Sequence, residues 1–377
     1  MEDKKRLIMY VYSDITSDAR VVRAAEALSG KYDVTVISTQ YGKSVEDTCF
    51  RNILVGRAGG GRTGYPRTLW QALKIVRKEL PDILYCHDYY SALLAYFLGS
   101  RKRCGKIVYD AHELIIPEPG SRMGMRQRFF FQFEKRIVHD VDLLVCASPE
   151  RGERMKAFYR LEASPLPIKN ISKLYVSHDS ETDGIVRNLD PFFSRPGITV
   201  VYAGVVTRNR RIHGLVQAVS ALAPGYKLLI VGAGDALEEV KGISASHPEL
   251  VSAFTGKIPY KSLGAVLSRC DIGFIYYPDD SLNNRLCASN KVYEYASVGL
   301  PILSNDNPTM RRLLGDSHIG LSTDDFQKGL GQISADLEKM KVACGLFNDA
   351  NPWSSEAARL MDAIAAMEGP ELQSIEQ

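Results

Sequence analysis

Short apolar runs alternate with helically spaced stretches along this chain, and they do so twice. In the first half the runs are Leu7–Tyr12, Val34–Ser38, Ile83–His87, Ile107–Asp110 and Leu143–Cys146. Helical spacing lies between them: 19–28, with Val21, Val22, Ala25 and Leu28 on one side, then 66–78, 91–98 and 123–138. The alternation lapses over 171–197 and restarts at Thr199–Tyr202. It continues through Leu228–Val231, Val251–Thr255, Ile272–Tyr276, Pro301–Ser304 and His318–Leu321, again with helices between. Buried strands joined by helices require parallel pairing, because the crossover helix returns each strand to the same end of the sheet. The fold class is therefore α/β, with two Rossmann-like, doubly wound domains. A length of 377 residues fits two cores better than one. The spacing predicts domains at 1–172 and 198–350, a linker at 173–197, and an appended amphipathic helix within 351–377. Residues 39–65 read as irregular. Open α/β sheets bind ligands at the carboxyl ends of their strands, so two such domains facing each other would form a central cleft.

Several function classes are disfavoured. A net charge of +3 is too small to argue for nucleic acid. The seven cysteines are scattered without a Cys-x-x-Cys pair, which speaks against a zinc site or a disulfide frame and for a reducing compartment. The segment Met-Glu-Asp-Lys-Lys-Arg leads straight into a strand instead of a signal-peptide core. No apolar run approaches the ~18–20 residues that span a bilayer. A cytoplasmic protein is expected, with contact at the inner membrane surface left open by one stretch. Residues 101–136 hold nine Lys/Arg against four Asp/Glu, and basic and aromatic residues are interleaved over 122–136. Such a stretch fits an anionic lipid surface. It fits equally a core helix whose phenylalanines point inward.

Four constellations bear on chemistry. In Ala288–Pro301, Asn290 and Lys291 fall where a loop becomes a helix, and Glu294 follows one turn later on the same face. Helix starts carry unpaired N–H groups and partial positive charge, which suit a phosphate. A cation and a carboxylate on one face suit a phosphate and ribose hydroxyls, and an ordinary solvated Lys–Glu pair has the same spacing. Thr207-Arg-Asn-Arg-Arg211 sets three arginines just past a strand end, well placed for a diphosphate. Gly232-Ala-Gly234 resembles part of a dinucleotide fingerprint but lacks the third glycine, and it fits a tight strand-to-helix turn as well. Asp110-Ala-His112-Glu113 packs three titratable groups at a strand end, with neither a second metal-ligand cluster nor a Gly-x-Ser-x-Gly elbow to join it. The glycine-rich 56–64 lacks the Gly-Lys-Ser/Thr ending of a P-loop and reads as a loop that could meet an anionic acceptor.

Taken together and in order, these residues resemble the retaining glycosyltransferases of family 4, which have the two-domain GT-B fold. The resemblance spans nearly the whole chain. It is carried by Asp18-Ala-Arg-Val-Val-Arg, Tyr109-Asp-Ala-His-Glu, Tyr202-Ala-Gly, Leu229-Ile-Val-Gly-Ala-Gly, Phe254-Thr-Gly-Lys-Ile-Pro and Ser289-Asn-Lys-Val-Tyr-Glu-Tyr-Ala-Ser-Val-Gly-Leu-Pro. It implies that a final helix crosses back onto the N-terminal domain. It implies a nucleotide diphosphate sugar donor, UDP-linked by preference, and a glycan or lipid-linked acceptor in cell-surface polysaccharide or lipopolysaccharide synthesis. It implies no cofactor, no metal and no nucleic acid. By the same resemblance Glu294 takes the ribose, while Lys291, Asn290, Ser289 and Arg210 hold the diphosphate beside Gly204 and Gly232. Ile258 meets the base through its backbone, and His112 approaches the donor sugar. The loop at 14–20 closes over the ligands; Asp18 and Arg20, with Asp88 and Glu113, face the acceptor. Three positions depart from the common pattern. Leu286 stands where many members have Glu, Val205 where many have Arg, and Ile15-Thr16 where the first-strand glycine pair lies. A sugar-nucleotide epimerase that hydrolyses its donor, and a non-catalytic nucleotide-sugar binder, share the nucleotide-binding features.

Overall fold

The structure is a computed structural model that describes residues 4–15, 18–40, 48–57, 64–99, 105–118 and 123–368. Thr16 and Ser17 of the expected closing loop, residues 58–63 of the glycine-rich stretch, the basic residues 101–103 and Arg122 lie outside them. Two compact units result: Met1–Asn170 with Trp353–Gln377, and Ile171–Pro352.

The first unit runs β1 (Arg6–Tyr10), α1 (Ala19–Ser29), β2 (Asp33–Gln40), β3 (Arg51–Arg57), α2 (Gly64–Glu79), β4 (Ile83–His87), α3 (Asp88–Gly99), β5 (Lys106–Ala111), α4 (Met125–Ile137), β6 (Leu143–Cys146), α5 (Pro149–Tyr159) and β7 (Leu166–Pro167). The strands form one sheet in the order β3-β2-β1-β4-β5-β6-β7, every pair parallel. Helices cover both faces, which is why β4 is buried at every residue and reads as an unbroken apolar run. The region read as irregular contains β3. It is the edge strand, its apolar content is only Ile53-Leu54-Val55, and its flanks are polar. Gly56 sits there at φ +67, and a Cβ would lie 2.3 Å from Cγ2 of Thr68, so only glycine lets α2 approach.

The second unit continues with α6 (Ser180–Phe193), β8 (Ile198–Ala203), α7 (Ile212–Ser220), β9 (Tyr226–Val231), α8 (Leu237–Ala245), β10 (Val251–Gly256), α9 (Tyr260–Leu267), β11 (Ile272–Ile275), α10 (Leu282–Arg285), α11 (Asn290–Ser297), β12 (Ile302–Ser304), α12 (Pro308–Ser317), β13 (Gly320–Ser322), α13 (Phe326–Ala335) and α14 (Leu337–Ala350). Its sheet order is β10-β9-β8-β11-β12-β13, parallel throughout. Successive strand residues serve opposite faces. Val201, Ala203, Leu229 and Val231 join one core, and Val200, Tyr202, Leu228 and Ile230 the other. The stretch read as a linker, 173–197, holds α6. Asp179 caps it, and Thr182, Leu189 and Phe192 are buried along one side, with Thr182 Oγ1 2.8 Å from Ser262 Oγ of α9. The polar run before the helix obscured its apolar spacing.

The closing helix, α15 (Trp353–Glu368), returns to the first unit. Its Leu360 and Ile364 enter that core, the Arg23 guanidinium of α1 stands 5.3 Å from the Trp353 ring, and Glu356 accepts from Lys169 N–H at 2.9 Å. No helix among the described residues is long and apolar enough to cross a membrane.

One buried acid in this unit predicts a pH effect. Glu134 of α4 accepts 2.6 Å hydrogen bonds from Tyr109 and Tyr159. Burial nevertheless raises its pKa from 4.5 to about 7, against those two bonds. A carboxyl whose folded value lies above its unfolded one contributes full stability below the unfolded value. It loses that stability as pH rises through about 7. The expected loss is on the order of 2–3 kcal/mol between pH 5 and 8. Thermal melts should show a falling melting temperature over that range, and Glu134→Gln should remove part of the slope.

Candidate active site

In the second unit, glycines end three neighbouring strands. Gly204 follows β8 at φ +150, and Gly232 follows β9 at φ +142. A Cβ on Gly232 would stand 1.9 Å from the Gly204 carbonyl oxygen, so the two turns touch backbone to backbone. The Gly-x-Gly at 232–234 therefore serves close packing of strand ends. It leaves the floor of this end of the sheet free of side chains.

Lys291 reaches across that floor. From the first turn of α11 its Nζ comes within 3.1 Å of where a Gly204 Cβ would be. Among the described residues the ammonium has neither a hydrogen bond nor an ion pair. Desolvation lowers its pKa and Arg210 lowers it further, while Glu294 acts in the opposite sense. Two cations thus share a site with too little negative charge. Ser289, the residue before α11, makes no capping bond, and its buried Oγ has no partner. A helix start with its cap hydroxyl idle, a lysine and an arginine beside it, makes a corner whose chemistry suits an anion.

The three arginines past β8 divide. Arg210 donates to the Tyr276 carbonyl at 2.6 Å and lies 5.0 Å from the Tyr277 ring. Arg208 instead pairs with Glu239 of α8 at 2.9 Å on the surface. Arg211, in the left-handed region at φ +45, lines a separate cavity of about 550 Å³ with His213 and Phe326. One arginine of the cluster, not three, belongs to the corner.

Glu294 is buried, and its Oε1 accepts from Asn290 Nδ2 at 3.1 Å and from the Tyr260 hydroxyl at 3.0 Å. Tyr260 is tied in turn to Ser172 Oγ at 2.6 Å. These donors fix the carboxylate's direction. Tyr260 escaped the sequence reading, because nothing local links it to a residue 34 positions on. Ile258, after β10, makes no backbone hydrogen bond with any described residue, so its N–H and C=O remain available.

In the first unit, the end of β5 and the end of β4 bring His112, Asp110 and His87 together. His87 Nδ1 and His112 Nε2 are 3.1 Å apart, and Asp110 Oδ2 is 3.6 Å from His112 Nε2 and 3.7 Å from His87 Nδ1. Burial lowers the His87 pKa to about 3 and leaves it neutral, with its Nε2 buried and unpartnered. Burial opposes charge on His112 too, yet Asp110 outweighs it and raises that pKa. Burial likewise works to raise Asp110, but Arg20 and His112 hold it well below the usual range. The three side chains lie within metal-ligand distance of one another, all ligand atoms within 4.8 Å. Both Asp110 oxygens are engaged by Arg20, however, at 2.8 and 3.1 Å. A guanidinium there serves as the cation, so the residues form an ion-paired network that does not fit a metal.

That network also engages Arg20, one of the residues expected to face the acceptor. It is buried and also donates to the Ile168 carbonyl and Asn170 Oδ1, both at 2.7 Å. Four of its five N–H groups are thereby committed to the fold. Asp18 caps α1 through Val21 N–H and accepts from Ser13 Oγ at 2.9 Å. Its charge acts on His112 and His87 from that place. Asp88 behaves differently. It starts α3 at φ +61, and its Oδ1 is buried without a partner. Burial lifts its pKa to about 7, with the neighbouring charge of Glu113 adding to the rise. A carboxyl with one buried oxygen left without a partner, in a strained turn, is typical of ligand-contacting residues. Glu113 is exposed.

Comparison with known proteins fits this fold. The Glycosyltransferase Family 4 profile matches residues 19–168. Sucrose-phosphate synthase from Thermosynechococcus elongatus superposes with a TM-score of 0.77 at 16% identity, over 97% of this chain and 99% of that one. The Anabaena protein HepE, crystallised with UDP and glucose, gives 0.74 at 12% identity over 96% and 100%. WaaG, a glycosyltransferase of lipopolysaccharide biosynthesis, gives 0.68 at 13% over 97% and 100%. No curated protein sequence matches this chain.

Proposed function

We propose that the chain, whose residues 19–168 match the Glycosyltransferase Family 4 profile and whose fold is that of GT-B glycosyltransferases, is a member of that family that moves a sugar from a UDP-linked donor to an acceptor hydroxyl with retention of configuration. The observation that carries the reading is Lys291: an ammonium with neither a hydrogen bond nor an ion pair among the described residues, beside Arg210, at a helix start whose cap hydroxyl is idle. A diphosphate supplies the missing negative charge. The hard step in sugar transfer is departure of that diphosphate from an oxocarbenium-like carbon. Preorganised positive charge stabilises the charge that develops on the leaving group. Lys291, Arg210 and the N–H groups at the start of α11 fill this role. Asn290 and Ser289 orient the phosphates, and Gly204 and Gly232 let them approach the backbone. Glu294, aimed by Tyr260 and Asn290, accepts from the ribose hydroxyls. The Ile258 backbone reads the base. HepE, a structural neighbour, binds UDP-glucose, which supports UDP as the nucleotide here.

His112, whose pKa Asp110 raises against the effect of burial, serves the donor sugar as a hydrogen-bond donor. Asp88 and Glu113 meet the acceptor, a glycan or lipid-linked sugar of cell-surface polysaccharide or lipopolysaccharide.

The test is calorimetric titration with UDP and GDP, followed by turnover of the matching sugar nucleotide with and without an acceptor oligosaccharide. UDP binding with acceptor-dependent release is expected. Equal release without acceptor would point to a donor hydrolase or epimerase, and binding without turnover to a non-catalytic protein. Failure of both nucleotides to bind would overturn the donor site.

A further inference from the structure

We infer that the outward face of α4, continued onto the end of α3, docks on an anionic lipid bilayer. Arg126, Arg128, Lys135 and Arg136 are all exposed on this helix. None of the four has an acidic partner among the described residues. The one acid of α4, Glu134, is turned inward between two tyrosines. The outer face therefore carries four positive charges that no acid on its own helix offsets.

Apolar groups stand between those charges. Met125 is 91% exposed and Phe129 51%. The Phe129 ring meets that of Phe133 at 5.1 Å, Phe133 meets Tyr96 of α3 at 5.4 Å, and Tyr96 meets Phe97 at 5.9 Å. Phe97 is itself 37% exposed. The rings make one strip across two helices, with Arg136 5.8 Å from the Tyr96 ring and Arg126 5.1 Å from that of Tyr90. A water-exposed aromatic strip flanked by unpaired cations matches the boundary of a bilayer. Rings and the Met125 thioether enter the headgroup–acyl region while the cations meet lipid phosphates. A nucleic-acid strand would need a groove or stacking platform to track its backbone. This surface is the convex side of a helix, and its most exposed group is an aliphatic side chain.

The sequence left two readings of this stretch, and the structure divides them between residues. Phe130 and Phe131 are buried, whereas Phe129 and Met125 are not. The inference rests on this surface alone and does not depend on the transfer reaction.

The test is co-sedimentation of the full chain with vesicles of phosphatidylcholine, with and without 30% phosphatidylglycerol, at low and high salt. Each basic residue near an anionic surface contributes roughly fivefold in partitioning. Reversal of two charges in Arg126→Glu/Arg128→Glu should lower the partition coefficient about a hundredfold. Phe129→Ser should weaken binding about tenfold and leave its salt dependence unchanged. Each variant's melting temperature should stay within a few degrees of wild type and its UDP titration should match, since these side chains are exposed and none belongs to the proposed donor site. Equal binding to neutral vesicles, no binding to anionic ones, binding indifferent to charge reversal, or displacement from the vesicles by a stoichiometric amount of single-stranded polynucleotide would each overturn the proposal. Loss of UDP binding by the wild type with vesicle binding intact would refute the donor site and leave the membrane surface standing.

Discussion

Lys291→Met is expected to lower kcat/KM for sugar transfer by about 10²–10³-fold while raising the melting temperature. The two effects have one origin. The Lys291 ammonium is desolvated, stands near a second cation, and has no hydrogen bond or ion pair among the described residues. Holding a charge there costs the empty protein free energy, because desolvation and Arg210 oppose the charge and Glu294 offsets them only in part. An apolar side chain of similar length removes that cost, so the fold gains on the order of 1 kcal/mol. The same exchange removes charge aimed at the departing diphosphate, where losing one preorganised donor costs roughly 3–4 kcal/mol of barrier. Lys291→Arg should not restore activity. The narrow lysine stem runs close past the Gly204 turn, its Cε 3.0 Å from where a Cβ would stand, and a planar guanidinium would carry its charge to a different place. Steady-state kinetics, UDP titration and a thermal melt on the three proteins measure all of this. A methionine variant that turns over within threefold of wild type would remove Lys291 from the site. A methionine variant less stable than wild type would make it a structural residue.

How much could be read from the sequence depends on distance along the chain. The alternation that gives both sheets is local, since each strand is buried within its own run of residues. β3 escaped because an edge strand needs fewer apolar residues, and α6 because its polar approach masks Leu189 and Phe192. Lys291, Asn290 and Glu294 were legible for the same local reason, being within one helical turn. The partners that aim them were not. Tyr260 reaches Glu294 over 34 positions, and Arg20 reaches Asp110 over 90. The sequence marked Asp110 and His112 as titratable neighbours, but His87 drew no notice, because a histidine ending an apolar strand looks like core until the sheet sets it beside β5. Arg20 shows the converse: its motif pointed to a ligand, and the fold uses up four of its five donors.

The ion pair that engages Arg20 leads to the largest stability effect. Asp110→Asn is expected to destabilise the first unit by about 3–5 kcal/mol, the cost of removing one partner from a buried pair. Arg20 is 7% exposed and Asp110 1%, so neither charge can turn to water. Arg20 joins α1 to the end of β5 and, through the Ile168 carbonyl and Asn170, to the last residues before the second unit. Loosening it should be felt at all three places. Arg20→Met should cost a similar amount, and the double variant less than the sum, as contacts within one pair require. The effect depends on pH. Asp110 titrates below its ordinary value when folded, so its contribution is present above the unfolded carboxyl pKa and lost as pH falls through the folded one. At pH 7 the full penalty is expected, and at pH 3 a smaller one. His112 supplies a second readout. Asp110 raises its pKa in the native protein, so the imidazole should titrate at lower pH in Asp110→Asn, observable by NMR. An acceptor-binding Arg20 would behave otherwise, since its loss would raise KM for the acceptor and leave the melting temperature within a degree of wild type. That outcome would return Arg20 to the ligand; a cooperative loss of stability assigns it to positioning β5 and His112.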